Sequence, residues 1–171
     1  ADRQADIPKT IIPNAELRHQ PFALTSIQQA YFVGREQSAK QLGGVSTHLY
    51  YEVTWDHLDL ARFESSFQRV IERHDMLRAV MTPRAEQVVL DNIKPYQIKR
   101  YDLSNLHGAD LAESIRIIRA SRSHEKFDAT QWPLFRVEVI HTAKNDILLF
   151  SFDCLIIDMY SLHTLMREWY E

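Results

Sequence analysis

The stretch Ile147-Leu148-Leu149-Phe150-Ser151-Phe152 constrains the fold of this chain more than any other. Six residues that apolar, broken only by Ser151, read as a buried strand. The next residues are Asp153-Cys154-Leu155-Ile156-Ile157-Asp158-Met159-Tyr160-Ser161. Asp153 thus falls at the strand's end, and Asp158 opens the helix that follows. An ionised carboxylate beside so much apolar surface costs roughly several kcal/mol unless it is paired or hydrogen-bonded. The segment is therefore either a structural ion pair or a working site, and the pattern alone leaves both open.

The rest of the chain supplies elements to bury that strand. Thr25 and Gln28 form a capping-box pattern, followed by a helix with Ile27, Ala30, Tyr31 and Gly34 on one face. His48 to Trp55 alternates as a strand, with Leu49, Tyr51, Val53 and Trp55 on one side. Asp59 caps a second helix striped by Leu60, Phe63, Phe67, Val70 and Ile71. Leu77 to Met81 and Gln87 to Leu90 read as a hairpin around Pro83-Arg84, and Tyr96 to Tyr101 as an edge strand. Asp110 and Glu113 suggest another capping box, opening a helix with Leu111, Ile115 and Ile118 inward. Phe135, Val137 and Val139 alternate in a strand that pairs antiparallel with the apolar run, and Leu162, Leu165, Met166 and Trp169 stripe a last helix. Such a mixture predicts an α/β layered sandwich, with helices packed on a mixed sheet.

Composition removes several classes of function. Lysines and arginines are scattered, with no basic stripe interleaved with aromatics, so no nucleic-acid surface is expected. No apolar run approaches the roughly 20 residues of a membrane helix. Residues 1–10 are polar and charged, unlike a signal peptide, and the single Cys154 fits a reducing cytoplasm. None of the eight histidines has the i, i+4 spacing of a helical zinc site, so no metal is expected. Gly43-Gly44 lacks the Lys-Ser/Thr of a phosphate loop and reads as part of an ordinary loop. Residues 1–20, with Pro8 and Pro13, read as a linker. The chain stops at Trp169-Tyr170-Glu171 inside a helical pattern, which suggests a piece of a longer polypeptide.

A second segment, Phe22-Ala23-Leu24-Thr25-Ser26-Ile27-Gln28-Gln29-Ala30-Tyr31-Phe32-Val33-Gly34-Arg35, resembles the opening motif of the heterocyclization domains of non-ribosomal peptide synthetases. That motif runs Phe-Pro-Leu-Thr, two free positions, Gln, one free, Ala-Tyr, two free, Gly-Arg; only Ala23 departs from it, in place of proline. Asp153, Asp158 and Ser161 match the family's Asp-x4-Asp-x2-Ser. Arg73-His74-Asp75-Met76-Leu77-Arg78 is similar to its second motif, although Pro83-Arg84 replaces the usual Asp-Gly.

The resemblance runs from about Pro21 to the chain's end. It implies a lobe like chloramphenicol acetyltransferase: residues 21–171 as the N-terminal lobe, with the C-terminal lobe absent. It also implies an activity. Such a domain joins an acyl or peptidyl thioester to a cysteine, serine or threonine thioester, then closes the side chain onto the amide carbonyl to give a thiazoline or oxazoline, often for a siderophore. Both substrates arrive on phosphopantetheine arms of upstream and downstream peptidyl or aryl carrier domains. The lobe itself is expected to bind no cofactor. Amide-forming condensation domains read His-His-x3-Asp-Gly at this place, so Asp153 and Cys154 stand where those have histidines. That absence favours heterocyclization over an ordinary condensation lobe, and a non-catalytic carrier-docking module is a third reading.

By resemblance Asp153 and Asp158 are the catalytic candidates, with Arg73, Arg78 and Ser161 supporting the site. Asp158 is expected to pair with Arg73 or Arg78 in the bidentate geometry that suits arginine, so its removal should cost more stability than that of Asp153. Asp153 either orients the amine or thiol or is structural. Tyr31 and Arg35 can reach the channel between lobes. Cys154 reads as a small buried residue, because a thiol replaces an imidazole as proton acceptor only with a strongly lowered pKa. Ser161 reads as a hydrogen-bonding residue in the helix's first turn. His74 reads as a helix-end residue with a satisfied hydrogen bond.

Overall fold

The computed structural model describes residues 12, 14–37 and 46–170; Gly43-Gly44, Pro13 and residues 1–11 of the lead-in lie outside the described residues. A four-stranded sheet organises it. Strand β7, Asp146–Asp153, lies between β2, His48–Trp55, and β6, Phe135–His141, and is antiparallel to both. Strand β5, Lys99–Asp102, closes the far edge parallel to β6, so the sheet is mixed. All eight residues of β7 are buried, as its apolar run predicts.

Because side chains alternate along a strand, β7 feeds two cores. Leu148, Phe150 and Phe152 join the main core, whereas Ile147 and Leu149 join a smaller one with Ile140. Two helices cover the main-core face: α2, Leu60–Arg73, and α4, Met159–Tyr170. They meet through Trp169, which stacks on Phe63 and Phe67 with ring centroids 4.5 and 4.4 Å apart. Both helices carry the stripes expected of them, with Phe67, Val70 and Ile71 buried on α2 and Leu162 and Leu165 on α4. Asp59 caps α2 by accepting the Arg62 N–H at 3.0 Å.

The opposite face is covered by α3, Gly108–Ser123, through Ile115 and Ile118. Its start differs from expectation. Gly108 enters at φ +54°, a conformation glycine adopts without strain, and places the N-cap at His107. The carboxylates thus fall inside the helix, where Glu113 bonds Arg116 at 2.7 Å instead of closing a capping box.

A second, three-stranded sheet has the order β1-β4-β3, in which β1 is Phe22–Ala23, β3 is Ala79–Met81 and β4 is Glu86–Val89. The hairpin around Pro83-Arg84 is present as β3 and β4. Helix α1, Ser26–Gln37, follows β1, and its capping box forms as read: the Thr25 N–H donates to Gln28 Oε1 at 2.9 Å and the Gln28 N–H to Thr25 Oγ1 at 3.3 Å. Its inward face is rotated from the predicted one. Ile27 is 67% exposed, while Phe32 is buried, a shift of one residue and about 100° around the helix. The reason is polar: the buried side must also accommodate Gln28 and Arg35, both of which bond elements that the helix packs against.

Candidate functional site

The site forms where β7 ends against α1. Asp153 is the last residue of β7 and is wholly buried. Its backbone is fixed on two sides: its own N–H donates to the Leu134 carbonyl, and the next N–H, of Cys154, to Thr47, each at 3.0 Å. The carboxylate is equally constrained. Arg35 Nη2 lies 2.7 Å from both Oδ1 and Oδ2, the Ser46 hydroxyl donates to Oδ2 at 3.2 Å, and the Leu155 N–H donates to Oδ1 at 2.9 Å. Arg35, near the end of α1, also donates to the Phe127 carbonyl at 3.3 Å and to Ser46 Oγ at 3.1 Å. A charge this deep is tolerated only with a paired and hydrogen-bonded partner, and Asp153 has both.

Cys154 is half-buried. Burial, then the Asp153 carboxylate, push its thiol up from the ordinary cysteine value, against the opposing pull of Arg35. It is therefore a thiol at neutral pH, with little thiolate to act as nucleophile or base.

Asp158 lies in different surroundings. It is exposed, and its Oδ1 accepts the Ser161 N–H at 2.7 Å, so it caps α4. That N–H, then the Ser161 hydroxyl, hold its carboxyl below the usual aspartate range. The expected pairing of Asp158 with Arg73 or Arg78 does not occur. Arg73 Nε bonds Glu168 of α4 at 2.9 Å, and Arg78 bonds Asp75 and, at 3.0 Å, the Leu90 carbonyl. The turn at 154–157 delivers Asp158 to a helix start, where backbone donors satisfy it without a cation. Arg73 and Arg78 thus brace α2 and the 3-10 turn Asp75–Arg78, away from Asp153 and Asp158. His74 is the C-cap of α2, with Nε2 2.9 Å from Glu168 Oε2, as expected of a helix-end residue.

A cavity of about 480 Å³ opens beside Arg35, lined by Phe32, Ser46, Pro83 and the 126–130 segment. Arg35 reaches it; Tyr31 packs against the main core instead, and neither Tyr31 nor Cys154 lines the cavity. Among the described residues no cluster of three or more His, Cys, Asp or Glu can hold a metal, and no helix is long and apolar enough to cross a membrane.

Sequence reasoning missed three members of this site. Ser46 precedes a strand and carries no pattern. Gln28 was visible as a capping partner and as the glutamine of the opening motif but not as a contact of the turn after β7, yet its Nε2 donates to the Leu155 carbonyl at 2.7 Å. Gln87 is buried in β4 on the same side as Val89, a polar residue in an apolar row, and that was the available signal.

The first helix thus locks the carboxylate that ends the central strand, joining the two segments that carry the motifs. The chain belongs to the condensation-domain family, whose model matches residues 19–171. It is 34% identical over 155 residues to pyochelin synthetase PchF of Pseudomonas aeruginosa (strain UCBPP-PA14), covering 90% of this chain and 8% of that protein. With phenyloxazoline synthase MbtB of Mycolicibacterium paratuberculosis it shares 28% over 151 residues, 87% of this chain and 13% of the relative. Its fold superposes on the EpoB cyclization-docking bidomain of a non-ribosomal peptide synthetase from Sorangium cellulosum with a TM-score of 0.85 at 31% identity, over 94% of this chain and 32% of the other. The chain therefore spans a minor part of each protein it resembles.

Proposed function

We propose that this chain is the N-terminal lobe of a heterocyclization domain in a cytoplasmic non-ribosomal peptide synthetase. Residues 21–171 form that lobe, and a C-terminal lobe completes the channel. The domain condenses a carrier-bound acyl or peptidyl thioester with a cysteine, serine or threonine thioester. It then cyclodehydrates the product to a thiazoline or oxazoline. Both reactants arrive on phosphopantetheine arms of neighbouring carrier domains, and a siderophore is the proposed product class; ring formation is in keeping with a relative named phenyloxazoline synthase.

One observation carries this reading: the Arg35–Asp153 pair joins the two segments that most resemble the cyclization motifs, the end of α1 and the start of the Asp-x4-Asp stretch. Both carboxylate oxygens of Asp153 are occupied and the residue is shut from solvent, so its part is to hold the turn rather than to exchange protons. The 153–158 stretch contains no imidazole, which leaves the lobe to contribute proximity and orientation of two tethered reactants in a desolvated space. Removal of water in the second step then depends on groups supplied elsewhere in the domain.

The parent synthetase, given loaded carriers, tests this by mass spectrometry of the released product. A ring product, one water lighter than the amide, is expected. Accumulation of the linear amide alone would place the lobe in an ordinary condensation domain, and carrier binding without either product would make it a docking module.

A further inference from the structure

A part-buried amide pair lies beside the Asp153 turn. Gln28 of α1 faces Gln87 of β4, which is 3% exposed. Gln28 Nε2 donates to Gln87 Oε1 at 3.0 Å and to the Leu155 carbonyl at 2.7 Å, while Gln28 Oε1 accepts from the Thr25 N–H at 2.9 Å. Gln87 Nε2 returns a bond to Gln28 Oε1 at 3.1 Å and gives its other to the Ala23 carbonyl at 3.1 Å. All four amide protons are used. Apolar side chains of similar volume would fill this space without desolvating two amides, so the pair needs a reason beyond filling.

The reason lies at its outer end. The Leu155 peptide is held from both sides, its N–H on Asp153 Oδ1 at 2.9 Å and its C=O on Gln28. The Ile156 N–H closes the turn onto the Asp153 carbonyl at 3.0 Å. Within residues 151–157 only Cys154 is not fully buried, so this turn presents one side chain outward. We propose that Gln28, held by Gln87, is a positioning residue: it fixes the Asp153–Ile156 turn and so sets where Cys154 and its backbone face the reactants. The proposal rests on the cyclization reading for its catalytic consequence and on hydrogen-bond geometry alone for its structural one. A lobe that works by orientation is sensitive to such a hold, since a displacement of about 1 Å can cost on the order of a hundredfold in rate.

The test uses the parent synthetase with loaded carriers and exploits Cys154 as the only cysteine of this chain, assigning its iodoacetamide adduct by peptide mapping. Gln28→Met keeps the length of the side chain and removes its hydrogen bonds. The expected result is kcat for ring formation down about tenfold or more with KM within about twofold, because orientation and not carrier binding is lost. In the same folded variant Cys154 should alkylate roughly threefold faster or more, as the loosened turn exposes the thiol. Gln87→Met should act in the same direction more weakly, and it carries the test if Gln28→Met does not fold. Thr25→Ala removes the cap at the Gln28 N–H but keeps the amide pair, and should leave both readouts unchanged. Unchanged alkylation and kcat in folded Gln28→Met would overturn the proposal, as would an equal effect from Thr25→Ala. If the wild-type synthetase forms no ring, the cyclization reading fails by itself. Alkylation then decides the positioning role: a faster rate in Gln28→Met sustains it and an unchanged rate overturns it.

Discussion

Asp153 and Asp158 are the same residue type in one short stretch, yet they solve opposite problems. Asp153 is sealed at the end of the central strand, with its charge matched by Arg35 and its oxygens shared among Arg35, Ser46 and the Leu155 N–H. Asp158 sits in solvent and spends its charge on the first turn of α4. The difference shows that a motif's spacing need not give its carboxylates a shared role. In a buried place the pairing is long-range and its loss exposes the partner's charge; at a helix start it is local and water replaces most of what is lost.

The comparison can be broken most directly at its buried end. Asp153→Ala removes the buried carboxylate that accepts from Arg35, Ser46 and the Leu155 N–H, and should cost about 3–5 kcal/mol of unfolding free energy, read from denaturant midpoints. Asp158→Ala removes only a cap and should cost about 1 kcal/mol. This order is the reverse of the one the motif suggests, and equal midpoints would erase the distinction between the two ends.

The smallest effect is in acid. A carboxyl held below its ordinary value in the fold stabilises the protein above the ordinary aspartate pKa and loses that contribution as pH falls through the folded value. Asp158→Asn keeps a good cap without the charge. Its midpoint should therefore trail the wild type slightly near neutrality and meet it below about pH 4. A constant gap across that range would mean that charge plays no part in this cap.

Much of the fold was legible because it is locally encoded. The apolar run 147–152 identified the central strand, the stripes of α2 and α4 gave the helices that cover it, and Thr25-Gln28 and Asp59 marked two helix starts that the structure shows. The site was legible only as a set of candidate residues. Arg35 and Asp153 are 118 positions apart and Gln28 and Gln87 are 59 apart, so no period in the sequence ties them; the packing of α1 against both sheets does. Where a local and a remote explanation competed for Asp158, the arginines of the second motif drew the reading away from a helix cap that its own neighbours already satisfied. At α1 the polar residues Gln28 and Arg35 turned inward and Ile27 outward, because the helix serves a buried polar network as well as the apolar core that Phe32 joins.

The central claim is that Arg35 and Asp153 form one buried unit joining the first helix to the turn after the central strand. A double-mutant cycle of Arg35→Met and Asp153→Asn, read from urea midpoints, measures that unit directly. The geometry predicts non-additivity of about 1.5 kcal/mol or more, the double variant being less destabilised than the sum of the singles. Effects that add to within about 0.5 kcal/mol would show that the two side chains act independently, and would contradict the account.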